Sequence, residues 1–365
     1  MPTRKFPILI LSENPPECVW KKVNETNECP HFKNCEGNQD ISSFCTNNQF
    51  NETEMSIVDH SKFYGHIYTF HNSKASMTGF IISNSNTVYG IGGCWSKMGV
   101  EEEVSFDVRK KIELEEAIFL CIIYSHTYYH AILEMLPSLI LLRPLILQNP
   151  DIPILIRLDS KPMFDVARIL AGLGHLELKV IQVRWGSMIA TKKLYVAGVA
   201  TCKKYPPKLI RGMNDYFYNN FKRLFPSSLE RPQILLGQRS NTRKLEEFGE
   251  LEQIIKDKYP GKVSKIDFDK PNIKDVARLF SQSDIFVSPH GAGFSNMLFM
   301  KNAILIEIIP DKYQENCFAL LSQTLGLKRY EIMGTGDSQS HLVIGNNLTH
   351  LVETIDKAMN QFVIE

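Results

Sequence analysis

Charge of one sign is what this sequence lacks: 41 Lys and Arg face 40 Asp and Glu, leaving a formal charge of +1 and a pI near 7.6. That balance excludes a protein whose main business is gripping nucleic acid or an acidic membrane through a broad basic surface, so any anion it binds is held locally. Long apolar runs are scarce as well. Phe6–Leu11 and Ala117–Tyr124 are strand-sized, and no run reads as a membrane-spanning helix. The chain shows no internal repeat, no long low-complexity tract and no paired C-x₂-C of a zinc ribbon. A secretory signal of normal length is also absent, so a luminal protein would have its leader or anchor outside this sequence.

What is present is enough chain for a sizeable core. With 365 residues and 44% hydrophobic content the sequence exceeds the size at which one core keeps growing, which predicts two domains sharing a cleft. Four of the eight cysteines, Cys18, Cys29, Cys35 and Cys45, crowd into a polar, Asn-rich start. They suit disulfides in an oxidising compartment and reduced thiols alike. Sequons at Asn24, Asn51 and Asn347 fit a luminal setting, although an Asn-rich chain also produces them by chance.

Residues 1–60 read as a loop-rich, cysteine-bearing extension pinned to the body at a few points. Residues 61–204 form a first domain: short strands at Ile67–Phe70, Gly79–Ile82 and Val88–Ile91, then a strand Ile118–Tyr124, an amphipathic helix His130–Leu147, a strand Ile152–Leu158, a helix Met163–Ala171, and strands Leu178–Val183 and Leu194–Val199. A Pro-Pro break precedes a second domain over 205–347, in which strands and helices alternate from Gln233 to Leu325 as a doubly wound α/β unit. Residues 348–365 have helical spacing and are expected to pack back across the first domain. In open α/β sheets ligands bind beyond the carboxyl ends of the strands, and three loops of the second domain fall at that edge: Gly237–Arg243, Ser288–Asn296 and Ile308–Tyr313.

The second of these loops carries the sharpest signal. Ser288-Pro289-His290-Gly291-Ala292-Gly293-Phe294-Ser295-Asn296 lies between two apolar runs and reads as strand, glycine turn and helix start. Its flexible backbone and the positive end of a following helix make an anion site suited to phosphate, although such turns also close α/β units that bind nothing. Arg239, Ser240, Arg243 and Lys244 follow another strand and would face the same place, where arginine forks match phosphate oxygens. Glu307, at a strand end, is a candidate acceptor for ribose hydroxyls.

A separate constellation runs Ser125-His126-Thr127-Tyr128-Tyr129-His130 through Glu134 to Pro137. His130 and Glu134 are four apart, hence on one helical face just after a strand. A carboxyl group among Leu133, Met135 and Leu136 would have its pKa raised by burial and serve as a general base toward a hydroxyl; a simple helix-face pair is the competing reading. Asp267-Phe268-Asp269 imitates a metal-binding D-x-D but reads as a solvated turn beside Lys265 and Lys270.

Taken together, these segments resemble glycosyltransferase family 61 over roughly residues 115–330. Tyr128-Tyr129-His130 with Glu134 and Pro137 is similar to the family's aromatic-His-x₃-acid motif, in which many members carry Asp at the position of Glu134. Arg239–Glu247 is similar to its arginine-bearing loop, and Ser288–Met300 with Ile306–Pro310 to its most diagnostic block. The resemblance implies a GT-B architecture, two Rossmann-like domains facing a cleft. It also implies an inverting, metal-independent transfer from a nucleotide sugar, usually a UDP-sugar, with xylose or GlcNAc the favoured group and a glycan or glycoprotein hydroxyl the acceptor. No cofactor, nucleic-acid partner or membrane span is expected. Catalysis would fall to Glu134 and His130, and donor binding to Arg239, Ser240, Arg243, Lys244, His290, Gly291, Ala292, Gly293, Asn296 and Glu307. Two rivals stand beside this reading. A lipase-like hydrolase would share the His-Gly-Ala-Gly loop, yet no G-x-S-x-G follows it. A non-catalytic sugar-binding module would need no acid at position 134.

Overall fold

The computed structural model describes residues 8–10, 35–37, 48–50, 53–55, 65–77, 79–82, 88–90, 110–184, 186–198, 205–227, 229–239, 243–268, 272–312, 316–336 and 341–363. The chain divides into two compact units, Met1–Leu209 and Ile210–Glu365. Of the amino-terminal cysteines, Cys35 falls in a short strand and Cys18, Cys29 and Cys45 lie outside the described residues, as do the side-chain facts that would settle their pairing.

In the first unit the strands are β1 (Ile8–Ile10), β2 (Cys35–Gly37), β3 (Asn48–Phe50), β4 (Thr53–Met55), β5 (His66–Ser76), β6 (Phe80–Ile82), β7 (Val88–Gly90), β8 (Lys110–Phe119), β9 (Ile154–Arg157), β10 (Val180–Val183) and β11 (Ser187–Gly198). Nine of them form one sheet in the order β1-β7-β6-β5-β11-β8-β9-β10, with β2 added on β5, while β3 and β4 pair with each other. The β11-β8-β9-β10 half is parallel and the β5-β6-β7 half antiparallel. Strand β8 differs from the expected Ile118–Tyr124: it starts eight residues earlier, in the charged run Lys110–Glu116, and stops at Phe119. That charged half alternates between exposed and half-buried side chains, as a strand near a sheet margin does, and only Ala117 to Phe119 enter the core.

Helices α1 (Tyr128–His130) and α2 (Leu136–Gln148) are joined without a break by a π-helical turn, Ala131–Met135. One expectation changes here. The continuous helix Tyr128–Gln148 is long and apolar enough to span a membrane by length and composition, and 89% of its apolar 18-residue stretch is buried inside the protein. Nor is it amphipathic: Leu136, Leu139, Ile140, Leu141, Leu142 and Ile146 are buried on all sides, which makes it a central core helix rather than a surface one. Helix α3 (Lys161–Leu170) follows β9 and closes the βαβ unit to β10.

The second unit, entered through α4 (Pro207–Leu224), is regular. Strands β12 (Ile234–Gln238), β13 (Val263–Asp267), β14 (Ile285–Pro289), β15 (Ile304–Pro310) and β16 (Lys328–Gly334) alternate with α5 (Phe248–Lys258), α6 (Ile273–Gln282), α7 (Cys317–Leu325) and finally α8 (Asn347–Val363). All five strands are parallel in the order β13-β12-β14-β15-β16. Continuous burial of β14 and β15 matches strands covered on both faces. The carboxy-terminal helix α8, expected to reach the first domain, has Leu351, Ile355, Ala358 and Met359 in this unit's own core, against Ile285, Ile304 and Ile306.

Candidate active site

In a parallel sheet of this order the connections reverse direction between β12 and β14, and the crevice beyond the carboxyl ends of those two strands is where a doubly wound unit binds ligands. Arg239 follows β12 and His290 follows β14, so the two loops singled out in the sequence open at that point. They also touch: a Cβ on Gly291 would lie 2.0 Å from Nη1 of Arg239, so the guanidinium stands against the glycine turn. Phe268, the residue after β13, explains the other glycines. Its ring would be 2.7 Å from a Cβ on Gly237 and 2.6 Å from one on Gly293, so both positions are kept bare to seat an aromatic wedge beneath the turn. Phe268, read from sequence as the middle of a solvated D-x-D turn, is therefore a packing residue; Asp269 lies outside the described residues.

The segment after the turn is not the expected α-helix but a 3₁₀ helix, Ala292–Phe299. Its ladder begins with the Phe294 N–H donating to the Gly291 carbonyl at 2.9 Å, and the N–H groups of Ala292 and Gly293 precede that first bond. The tight coil follows from the packing: Phe294 has Phe286 and Phe318 against its ring, and Asn296 donates its amide to the Gly293 carbonyl at 3.0 Å. Asn296, one of the expected ligand residues, closes the turn from within through this bond.

His290 and Glu307 are both buried, and Glu307 is 0% exposed. Glu307 Oε1 bonds His290 Nδ1, and Oε2 accepts from Arg329 Nε at 2.6 Å. A carboxylate oxygen only accepts, so Nδ1 of His290 carries the proton and the ring is fixed in orientation. Arg329 neutralises the buried carboxylate, and Glu307 in turn holds that guanidinium firmly cationic. Both carboxylate oxygens are thus engaged inside the protein. Arg329, on β16, went unseen in the sequence because nothing local connects it to a glutamate 22 residues earlier.

On the β12 loop, Arg243 adopts a left-handed φ of 54°, and its Nε is buried with no hydrogen-bond partner among the described residues. The segment behind it is clamped: the Lys244 carbonyl accepts from Leu342 N at 2.8 Å, and the Glu247 carboxylate accepts from Gly345 N at 2.8 Å. Lys244 is half-buried, and Ser240 lies outside the described residues.

The first unit holds the other constellation. His130 ends α1 and Glu134 sits in the π turn, with His130 Nδ1 3.0 Å from Glu134 Oε2, a contact of ion-pair length without hydrogen-bond alignment. Glu134 is 1% exposed. Single π turns inside α-helices recur at functional sites because the extra residue per turn re-aims side chains. Around the pair, Tyr124 takes a left-handed φ of 60° and places its ring 5.4 Å from that of His130, and Tyr129 packs edge-on at 4.9 Å. Asp159 and Ser160, which the sequence reading passed over, join His126 and Ser125 at this edge. Asp159, just past β9, is gripped by Arg157 through Nε at 3.0 Å and Nη2 at 2.7 Å, with His126 Nδ1 3.5 Å away. The Arg157 bonds hold the Asp159 carboxyl below its ordinary range. Ser125 and Ser160 share a buried hydrogen bond of 2.6 Å. The rule that strand carboxyl ends carry function would have found Asp159. Among the described residues no three His, Cys, Asp or Glu side chains gather closely enough to hold a metal ion.

The second unit carries a parallel sheet whose glycine turn stands against an arginine, and the first unit carries a buried acid–histidine pair, a set of parts that a sugar-transferring enzyme would use. The family model described as Glycosyltransferase 61 matches residues 128–306, an interval that opens at Tyr128, takes in His130, Glu134 and the loops at Arg239 and His290, and closes at the residue before Glu307. The protein is a glycosyltransferase by class, and the chain belongs to glycosyltransferase family 61. No curated protein sequence matches it. Among solved structures, a mutant flavo di-iron protein from Thermotoga maritima is similar at 11% identity over 60% of this chain and 76% of that one, with a TM-score of 0.27.

Proposed function

We propose that this protein is an inverting, metal-independent glycosyltransferase of GT-B type that moves a sugar, xylose or GlcNAc, from a UDP-sugar to a hydroxyl of a glycan or glycoprotein. The observation that carries the donor half is the contact of Arg239 with the Gly291 turn at the point where the second sheet's order reverses. An anion seated there meets Arg239, Arg243 and the N–H groups of Ala292 and Gly293, which together neutralise a diphosphate. Lys244 adds charge at the rim. Glu307 keeps His290 in place in this reading, a role that replaces the ribose contact first assigned to it.

The acceptor half rests on Glu134. Its carboxylate takes the proton of the acceptor hydroxyl as that oxygen bonds to the anomeric carbon, on the face opposite the leaving diphosphate. The bond from that carbon to the phosphate oxygen breaks in the same displacement, and the electron pair departs with UDP. Charge growing on the leaving oxygen is met by the arginines and backbone N–H groups, which need no rearrangement at the moment of reaction. His130, 3.0 Å from the carboxylate, orients it.

Differential scanning fluorimetry with UDP in excess chelator tests the donor half, because a ligand that binds the native state raises its melting temperature. UDP is expected to stabilise the chain with EDTA present. Stabilisation that disappears with EDTA and returns with manganese would refute metal independence, and a screen of UDP-xylose, UDP-GlcNAc, UDP-arabinose and UDP-galactose for slow hydrolysis identifies the sugar.

A further inference from the structure

The geometry points to Ser295 as a ligand-binding residue, donating its hydroxyl to the diphosphate; this rests on the donor site just proposed for the second unit. Ser295 is 0% exposed, yet its Oγ has no hydrogen-bond partner among the described residues. Buried polar atoms in native proteins are nearly always paired, and a hydroxyl left without a partner is kept at a cost in stability. Its place in the 3₁₀ helix says which way it faces. Side chains three apart stand above one another in such a helix, so Ala292–Phe299 presents three rows. One row starts at Gly293, pressed on Phe268, and continues with Asn296, bonded to the Gly293 carbonyl; it faces the protein. A second starts at Phe294, stacked among Phe286 and Phe318, and faces the core. The third holds Ala292, Ser295 and Leu298, running from Ala292, the one residue of the eight that is part-exposed, down to Leu298 in the core. Ser295 therefore lies one turn beneath the open corner of the loop, on the row that starts beside Gly291 and Arg239.

The neighbouring loop shows the same want. Arg243 Nε is a second buried donor without an acceptor among the described residues, on a backbone held in the left-handed region. Two strands that are adjacent in the sheet, β12 and β14, are thus each followed by a segment carrying a donor that no described residue satisfies. A phosphate has only acceptors to offer, whereas a neutral sugar brings donors as well. The shared chemistry of the two orphans is that of an oxyanion, and the hydroxyl supplements the arginines with a neutral donor deeper in the turn.

Ser295→Ala in the full chain tests this with UDP as the probe. Isothermal titration should show UDP affinity lowered about tenfold, the worth of one hydrogen bond to a charged group. Uridine affinity should be unchanged, and the ligand-free melting temperature should be unchanged or raised, since an unpaired buried hydroxyl has been removed. Undiminished UDP affinity overturns the proposal. A lowered ligand-free melting temperature also overturns it, by revealing a partner within the protein, and an equal loss for uridine and UDP overturns the assignment to the diphosphate. A wild-type chain that ignores UDP defeats the donor site itself and this inference with it, whereas a wild type and variant that bind alike defeat only the role of Ser295.

Discussion

Glu134 is the residue on which the proposed chemistry turns, and its environment makes a sharp demand: a buried acid beside a histidine and two tyrosine rings. Glu134→Gln keeps shape and hydrogen bonding but cannot take a proton. Steady-state assays should show kcat lowered by about 10²–10⁴-fold, with UDP affinity by calorimetry nearly intact. Replacing Arg243 or Arg239 with Ala should do the reverse, weakening UDP binding by about 2 kcal/mol each through the loss of a charge-assisted contact. Asp159 offers a check on electrostatics alone. Its folded-state pKa lies below the ordinary 3.8 because Arg157 bonds the charged form, so its contribution to stability is present above the unfolded pKa and lost as pH falls through the folded one. At 47% side-chain exposure that contribution is screened by solvent. In Arg157→Gln, NMR titration should find Asp159 back near its ordinary value and this part of the acid sensitivity gone. The pairing of His130 with Glu134 and the apposition of Arg239 to the glycine turn were legible from spacing and from the strand-end rule. Arg329 and the orphaned Ser295 hydroxyl were not, since one depends on a contact across two strands and the other on the absence of a contact.

At the scale of elements, the informative features are those where the local helix is not an α-helix. The π turn and the 3₁₀ helix fall at the two proposed halves of the site, and neither is visible in hydrophobic periodicity, which records which residues are buried but not how many make a turn. From β12 to α7 the strands and helices of the second unit were read to within a few residues because each apolar run is short and punctuated, whereas β16, with most of its side chains exposed or half-buried, was not read at all. Strand β8 was misread because its charged half lacks the apolar signature, and α1–α2 was called amphipathic because apolar residues on every side leave no polar stripe to contradict a helical pattern. The wedge of Phe268 under two glycines gives the element-scale prediction. Gly293→Ala should destabilise the chain by about 1–3 kcal/mol in chemical denaturation, because the added methyl would lie 2.6 Å from the Phe268 ring, which must shift to admit it. Phe268→Leu should relieve much of that penalty in the double variant, a coupling that independent sites would not show.

For the whole molecule, the two units carry separable duties in the proposed reaction, and hydrogen exchange can read them separately. Saturating UDP should slow exchange most in peptides covering 237–247 and 288–300, with smaller effects over 120–135; the opposite ranking would move the donor site to the first unit. The place of α8 in the second unit's own core did not follow from its sequence, because an apolar helical face does not say which core it fills. The long helix Tyr128–Gln148 has one more consequence. A machine that sorts nascent segments between lipid and water judges such a helix by partition energy, not by the fold it will later join. Each Leu or Ile near the centre favours lipid by about 0.3–0.6 kcal/mol, while a central ionised side chain opposes it by about 2.5–3.5 kcal/mol. Glu134 and Arg143 both lie inside this segment, so the carboxylate assigned to proton transfer also weighs against its being mistaken for a membrane anchor, and an apolar replacement at position 134 would tip that sorting decision as well as stop the chemistry.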